Sequence, residues 1–207
     1  AVTTRLLARM VPARSFESIP DRGAFHLHVG TRSTPVAIRR VRATDAFVVS
    51  LDEAAPVAIG DRLILRDSGR RAVVGGGAVL DPHPVARPHA DAVATLESGL
   101  AQSSGAQALV EVHGIIDVDQ LRQSAGGGVP TDALAAGSVW LSMAAARDLA
   151  GQLAAMAATH HDQHPIRPGI PKGEAASRLG VPLDVVDAVV GADPGIEDRS
   201  GAIALVG

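Results

Sequence analysis

Up to about residue 82, apolar and polar residues alternate with period two in short runs rich in β-branched side chains. The runs cover 3–11, 24–31, 34–41, 46–51, 62–67 and 72–80. Turn-forming residues separate them at Asp21-Arg22-Gly23, Pro56, Gly60-Asp61 and Asp67-Ser68-Gly69, the last of which is a hairpin signal. Six short strands with no helix between them predict a small six-stranded antiparallel β-barrel. Val74-Gly75-Gly76-Gly77 reads as a bulged barrel strand to which another backbone comes close. Pro82, Pro84 and Pro88 then mark a linker, because proline joins neither a central strand nor a helix interior.

Beyond the linker the period turns helical. Segments 91–102 and 106–113 are amphipathic, Asp117 reads as an N-cap for 118–124, and Gly126-Gly127-Gly128 stops that helix. Residues 134–141 form a hairpin around Gly137, with Trp140 as their large aromatic. From Met143 to about residue 163 a long helix carries Met143, Ala146, Leu149, Ala150, Leu153, Met156, Ala157 and His160 on one stripe, and Pro165 ends it. Residues 171–179 and 182–190 make a helix–turn–helix about Gly180, and Asp198-Arg199-Ser200-Gly201 turns a final hairpin within 197–206. Helices followed by a hairpin, twice over, predict two α/β winged-helix domains. The expected division is therefore a barrel at 1–82 and winged helices at 83–142 and 143–207.

Composition narrows the class. At 46% apolar and 20% charged the chain reads as a soluble globular one, and it has no apolar run long enough to span a membrane. The absence of cysteine excludes disulfides, thiolate nucleophiles and zinc fingers, and it fits a cytoplasmic location. A first residue of alanine, with no charged-then-apolar leader, leads us to expect an excised or processed piece of a cytoplasmic protein.

The formal net charge of −3 conceals a split. Residues 1–82 carry twelve arginines against eight acids, a net of +4, whereas 83–207 carry seven bases against fourteen acids, a net of −7. Such asymmetry points to two regions with different partners. The basic half offers Arg39-Arg40-Val41-Arg42 at a strand end and Arg66, Arg70 and Arg71 about a turn. Alternation puts Arg40 and Arg42 on one face and Arg39 on the other. Guanidinium forks suit phosphate, and with no tyrosine and three phenylalanines any RNA contact is expected at backbone and shape.

Enzymatic signatures are missing. The single lysine stands in Ile170-Pro171-Lys172-Gly173-Glu174, which is not a P-loop, and no serine elbow occurs. His160, His161 and His164 near a helix end, and His26 with His28 on one strand face, lack the further ligands of a metal centre and read as structural. No cofactor is expected in this chain. DNA reading by the helix–turn–helix is disfavoured, since 182–190 carries Asp184 and Asp187 and no base.

Several strings resemble a known family. Phe25-His26-Leu27-His28-Val29-Gly30-Thr31 with Arg40-Val41, Gly60-Asp61-Arg62-Leu63-Ile64-Leu65-Arg66-Asp67, and Val74-Gly75-Gly76-Gly77-Ala78-Val79-Leu80-Asp81-Pro82 are similar to the third domain of the bacterial selenocysteine-specific translation elongation factor. That domain is the second barrel of a body like that of elongation factor Tu. His164-Pro165-Ile166-Arg167-Pro168-Gly169-Ile170-Pro171-Lys172 resembles a string of the family's winged-helix extension. The resemblance implies a parent that uses GTP and magnesium, in domains this chain lacks, to deliver selenocysteyl-tRNA to the ribosome at recoded UGA codons. It implies a non-catalytic fragment whose barrel touches tRNA backbone and whose winged helices lead toward further domains that grip an mRNA hairpin. His28 and Arg40 fall inside the matched strings, and Arg39, Arg42, Arg70 and Arg71 lie beside them. The competing reading is a winged-helix DNA-binding transcription regulator with a β-barrel sensor.

Overall fold

In the first half of the chain, alternate side chains point into a common interior, as period-two sequences must when a sheet curls on itself. The structure is a computed structural model that describes residues 1–206. Six strands form there: β1 (Val2–Pro12), β2 (Phe25–Val29), β3 (Arg32–Arg40), β4 (Ala46–Pro56), β5 (Arg62–Asp67) and β6 (Ala72–Asp81). All pairs are antiparallel, and the order β1-β4-β3-β2-β5-β6 closes on itself as a barrel. Leu6, Met10, Leu27, Phe47, Val49 and Leu65 fill the interior.

The seam is β6, hydrogen-bonded to β1 on one side and β5 on the other. A Cβ added at Gly77 would land on the carbonyl of Arg9, and one at Gly75 would meet Ile19 and the carbonyl of Val11, each at 2.8 Å. The register slips beside this run on both sides, between Leu7 and Ala8 and between Leu65 and Arg66. The glycine run is thus an irregular strand to which neighbouring backbone comes too close for any side chain.

Leu7, Val48 and Leu80 alternate with the interior set and are buried all the same. Part of the outer wall is therefore covered, and α1 (Ala90–Ala101) lies against β6. The proline segment 81–88 is laid onto the barrel. Pro82 and Pro84 are buried, and the Arg5 guanidinium donates to the carbonyls of Pro84 at 3.3 Å and Ala86 at 2.8 Å.

The following elements are α2 (Gly105–His113), β7 (Ile115–Asp117), α3 (Val118–Ser124), β8 (Ala133–Ala136), β9 (Val139–Ser142) and α4 (Met143–Gln163). Then come β10 (Ile170–Pro171), α5 (Lys172–Leu179), α6 (Leu183–Ala192), β11 (Ile196–Arg199) and β12 (Ala202–Leu205). Two three-stranded sheets, β7-β9-β8 and β10-β12-β11, accompany these helices. The fold is the expected barrel followed by α/β elements. Strands β7 and β10 are additions, too short at three and two residues to show a period.

The chain groups into two compact units. One comprises 1–112 with 119–130, and the other 113–118 with 131–207. In the second, Ala136 and Leu141 of the β8–β9 hairpin share a core with Leu153 of α4, Val185 and Val189 of α6, and Ile203 of β12. Lys172, at the start of α5, braces this unit. Its Nζ is 2.7 Å from Asp187 on α6 and 2.6 Å from Asp198 on β11. Hydrogen bonds to Asp187 and Asp198 raise the lysine's pKa above its ordinary value, and the bond from Lys172, with that from the Gly201 amide, lowers that of Asp198.

Two predictions follow from this packing. Gly77→Ala is expected to destabilise the barrel by about 3 kcal/mol or more, through forced backbone movement. Gly30→Ala, at φ 56° with open space around it, should cost only about 1 kcal/mol. Chemical denaturation compares the two, and equal costs would contradict the seam. The Lys172 brace holds above the ordinary aspartate range and is lost as pH falls through the lowered pKa of Asp198. It is lost at the alkaline end only as pH rises through the raised pKa of Lys172. In Lys172→Met, the gain in stability on raising pH through the aspartate range should vanish, read as Tm against pH.

Candidate nucleic-acid interface

Antiparallel register decides which loops share a barrel end. Arg40 opposite Phe47, Phe25 opposite Asp67 and Arg9 opposite Ala46 put three connections at one end: the β3–β4 turn, the β5–β6 turn and the loop 13–24. Arg14, Arg22, Arg39, Arg40, Arg42, Arg66, Arg70 and Arg71 gather there, against Glu17, Asp21, Asp45 and Asp67, a net of +4. The remaining barrel residues, Arg5, Arg9, Arg32 and Arg62 against Asp52, Glu53, Asp61 and Asp81, balance to zero. The basic excess of the barrel thus lies entirely at this end.

Five of the six sequence candidates meet there. Arg39, Arg42 and Arg71 are exposed. Arg40 follows Val36 and Ile38 on the inward line of β3, so its guanidinium sits over the Phe47 ring, 4.4 Å from the centroid, and 3.6 Å from Asp45. The strand ends at Arg40 and the chain turns at Ala43, whose φ is 60°, so alternation does not carry on to Arg42. Arg70 is held by the buried carboxylate of Asp67 and donates to the carbonyl of Arg22 at 3.5 Å. His28 stands apart from the other five, toward the opposite end of β2, with its Nε2 3.4 Å from the Ser33 hydroxyl.

Asp67 organises the β5–β6 turn. Its Oδ1 accepts the amides of Gly69 at 2.9 Å and Arg70 at 3.2 Å. Burial pushes the carboxyl up, but the amide, guanidinium and charge of Arg70 outweigh it and hold the pKa below the usual range. Arg14 and Arg22 were not legible as part of the cluster. They arrive on a loop whose Ile19 is buried in the barrel core and whose Ala24 carbonyl accepts the Ser68 amide at 2.9 Å. A buried isoleucine within that loop was the signal available. All three phenylalanines pack into the barrel, so this end offers no aromatic stacking surface.

In the helical modules several bases are paired with a carboxylate of their own element. Arg122 pairs with Asp119 at 2.8 Å, Arg178 with Glu174 at 2.6 Å and Arg199 with Glu197 at 2.5 Å. On α6, Leu183, Asp184 and Asp187 are exposed and no base is present. His160 is buried on α4 with its ring 4.8 Å from that of His164. Among the described residues no cluster of three metal-ligating side chains occurs, and no helix is long and apolar enough to cross a membrane.

The chain is thus a closed six-stranded barrel continued by helix–hairpin modules. The fold matches a crystal structure of a bacterial selenocysteine-specific elongation factor, with a TM-score of 0.68 at 15% identity. That match covers 99% of this chain and 34% of the other, so the chain spans about a third of the length of that factor. A second solved structure, translation elongation factor SelB from Methanococcus maripaludis in its apo form, aligns over 41% of this chain and 24% of its own, at 15% identity and a TM-score of 0.33. No curated protein matches the sequence. Residues 7–86 match the family model for the selenocysteine-specific elongation factor, beta-barrel domain.

Removing the guanidinium in Arg70→Ala leaves Asp67 buried without its main counter-charge. The carboxyl pKa should rise, and the part of barrel stability present only while Asp67 is ionised should be lost at higher pH than in the parent. Carboxyl carbon NMR titration reads this directly, and an unchanged Asp67 titration would contradict the assignment.

Proposed function

We propose that this chain is a non-catalytic portion of a cytoplasmic selenocysteine-specific elongation factor, with a third-domain barrel at 1–82 and winged-helix modules at 83–142 and 143–207. Its barrel contributes contacts to the backbone of selenocysteyl-tRNA through the arginine-rich end. The observation that carries this reading is the concentration of the barrel's basic excess at one end of a domain of this family. Arg39, Arg42 and Arg71 reach phosphates, while Arg40 and Arg70 are held by Phe47, Asp45 and Asp67 and shape the surface around them. His28, far from this end, acts at most on a different part of the RNA. Contact is with helical backbone rather than splayed bases, because no aromatic side chain is presented.

The winged-helix modules serve as spacers toward an mRNA-hairpin-binding end, and GTP and magnesium belong to GTPase domains of the same parent, which also meets the ribosome. Internally paired bases and an acidic α6 support the spacer role. They also weigh against a DNA-binding transcription regulator, whose recognition helix presents bases to phosphate and groove.

Binding of tRNA to the chain should weaken with salt at a log–log slope of about −2 to −3, corresponding to about three phosphates. Each of Arg39→Gln, Arg42→Gln and Arg71→Gln should reduce that slope by about 1. Equal affinity for random duplex DNA, or slopes indifferent to all three changes, would reject the reading.

A further inference from the structure

The end of the barrel opposite the arginine cluster holds a separate cleft. The β2–β3 turn and the start of β5 enclose about 520 Å³ there, lined by Gly30, Thr31, Arg32, Pro56, Asp61 and Arg62. Register explains the meeting: Val29 is paired with Arg32 on one side and with Leu63 on the other, which brings the first residues of β3 and β5 to the same turn. Neither guanidinium has an ion-pair partner among the described residues. This separates them from Arg5, Arg9, Arg40 and Arg70, each engaged within its own unit. The one carboxylate in the cleft is occupied, since Asp61 Oδ2 accepts the Ala58 amide at 2.8 Å. The turn amides of Gly30 and Thr31 donate to no other backbone group among the described residues.

We infer that this cleft is an oxyanion site, in which Arg32 and Arg62 grip one phosphoryl group. Two forked donors lining one concavity, with turn amides beside them, form a donor set suited to tetrahedral oxygens. Two arginines against one aspartate give the cleft a formal net charge of +1, which suits a single phosphoryl group rather than a run of phosphates. The same chemistry fits free phosphate and an ester phosphate. It is independent of the tRNA reading, which stands or falls on Arg39, Arg42 and Arg71.

The test is an NMR titration of the isotope-labelled chain with inorganic phosphate, and separately with dimethyl phosphate. The inferred site requires saturable shifts at the Gly30 and Thr31 amides and at the side-chain Nε–H of Arg32 and Arg62. Saturation by phosphate alone identifies a free anion, and saturation by the diester alone identifies an ester phosphate. Arg62→Gln and Arg32→Gln should each weaken binding about tenfold, whereas Arg39→Gln should leave it unchanged. Shifts that grow linearly without saturating, or equal losses from Arg62→Gln and Arg39→Gln, would overturn the site.

Discussion

Closure of the barrel rests on a strand with almost no side chains along its middle. Gly75, Gly76 and Gly77 let β6 slide between β1 and β5 at distances that a Cβ would forbid. A closed barrel removes the unpaired edges that an open six-stranded sheet would expose. The cost is glycine's larger loss of chain freedom on folding, which the extra ladder and the packed interior offset. Gly75 has a second consequence, because the space it leaves is taken by Ile19. The loop that carries Arg14 and Arg22 is thereby pinned over the barrel mouth.

That chain of dependence explains how a surface of like charge is tolerated. Arginines gathered at one end repel one another, and a packed barrel cannot relax to spread them. The structure divides the work instead. Arg40 is absorbed by an aromatic face and a carboxylate, Arg70 by a buried carboxylate that also fixes its own turn, and the others face outward. Held guanidinia give the end its shape, and free ones give it reach. In the second unit the opposite solution holds. The sole lysine is spent inside, locking α5, α6 and β11 through two carboxylates, and Arg178 and Arg199 are each paired with a neighbour along one element.

Much of this was legible in advance. All six barrel strands and the six helices among the described residues follow from periodicity and punctuation, because a strand of five residues or a helix of two turns carries enough positions to show its period. Strands β7 and β10 do not, and they form only because a partner strand supplies the hydrogen bonds. Gly180 takes the left-handed φ of 66° that its place between two helical runs implied. Arg42 lies beyond the end of β3, so alternation, which needs a continuing strand, does not set its face.

The linear order of residues therefore determined the elements, the division of charge between the two halves and the glycine seam, since each is a local property of composition or spacing. Only the tertiary structure decided which arginines share a surface. Residues as distant as Arg14, Arg42 and Arg71 come to one end, and Arg32 and Arg62 to the other, because antiparallel register sends alternate connections to opposite ends of a closed barrel. Likewise, whether a given arginine is free or already held depends on carboxylates and rings brought beside it by folding, which no spacing along the chain encodes.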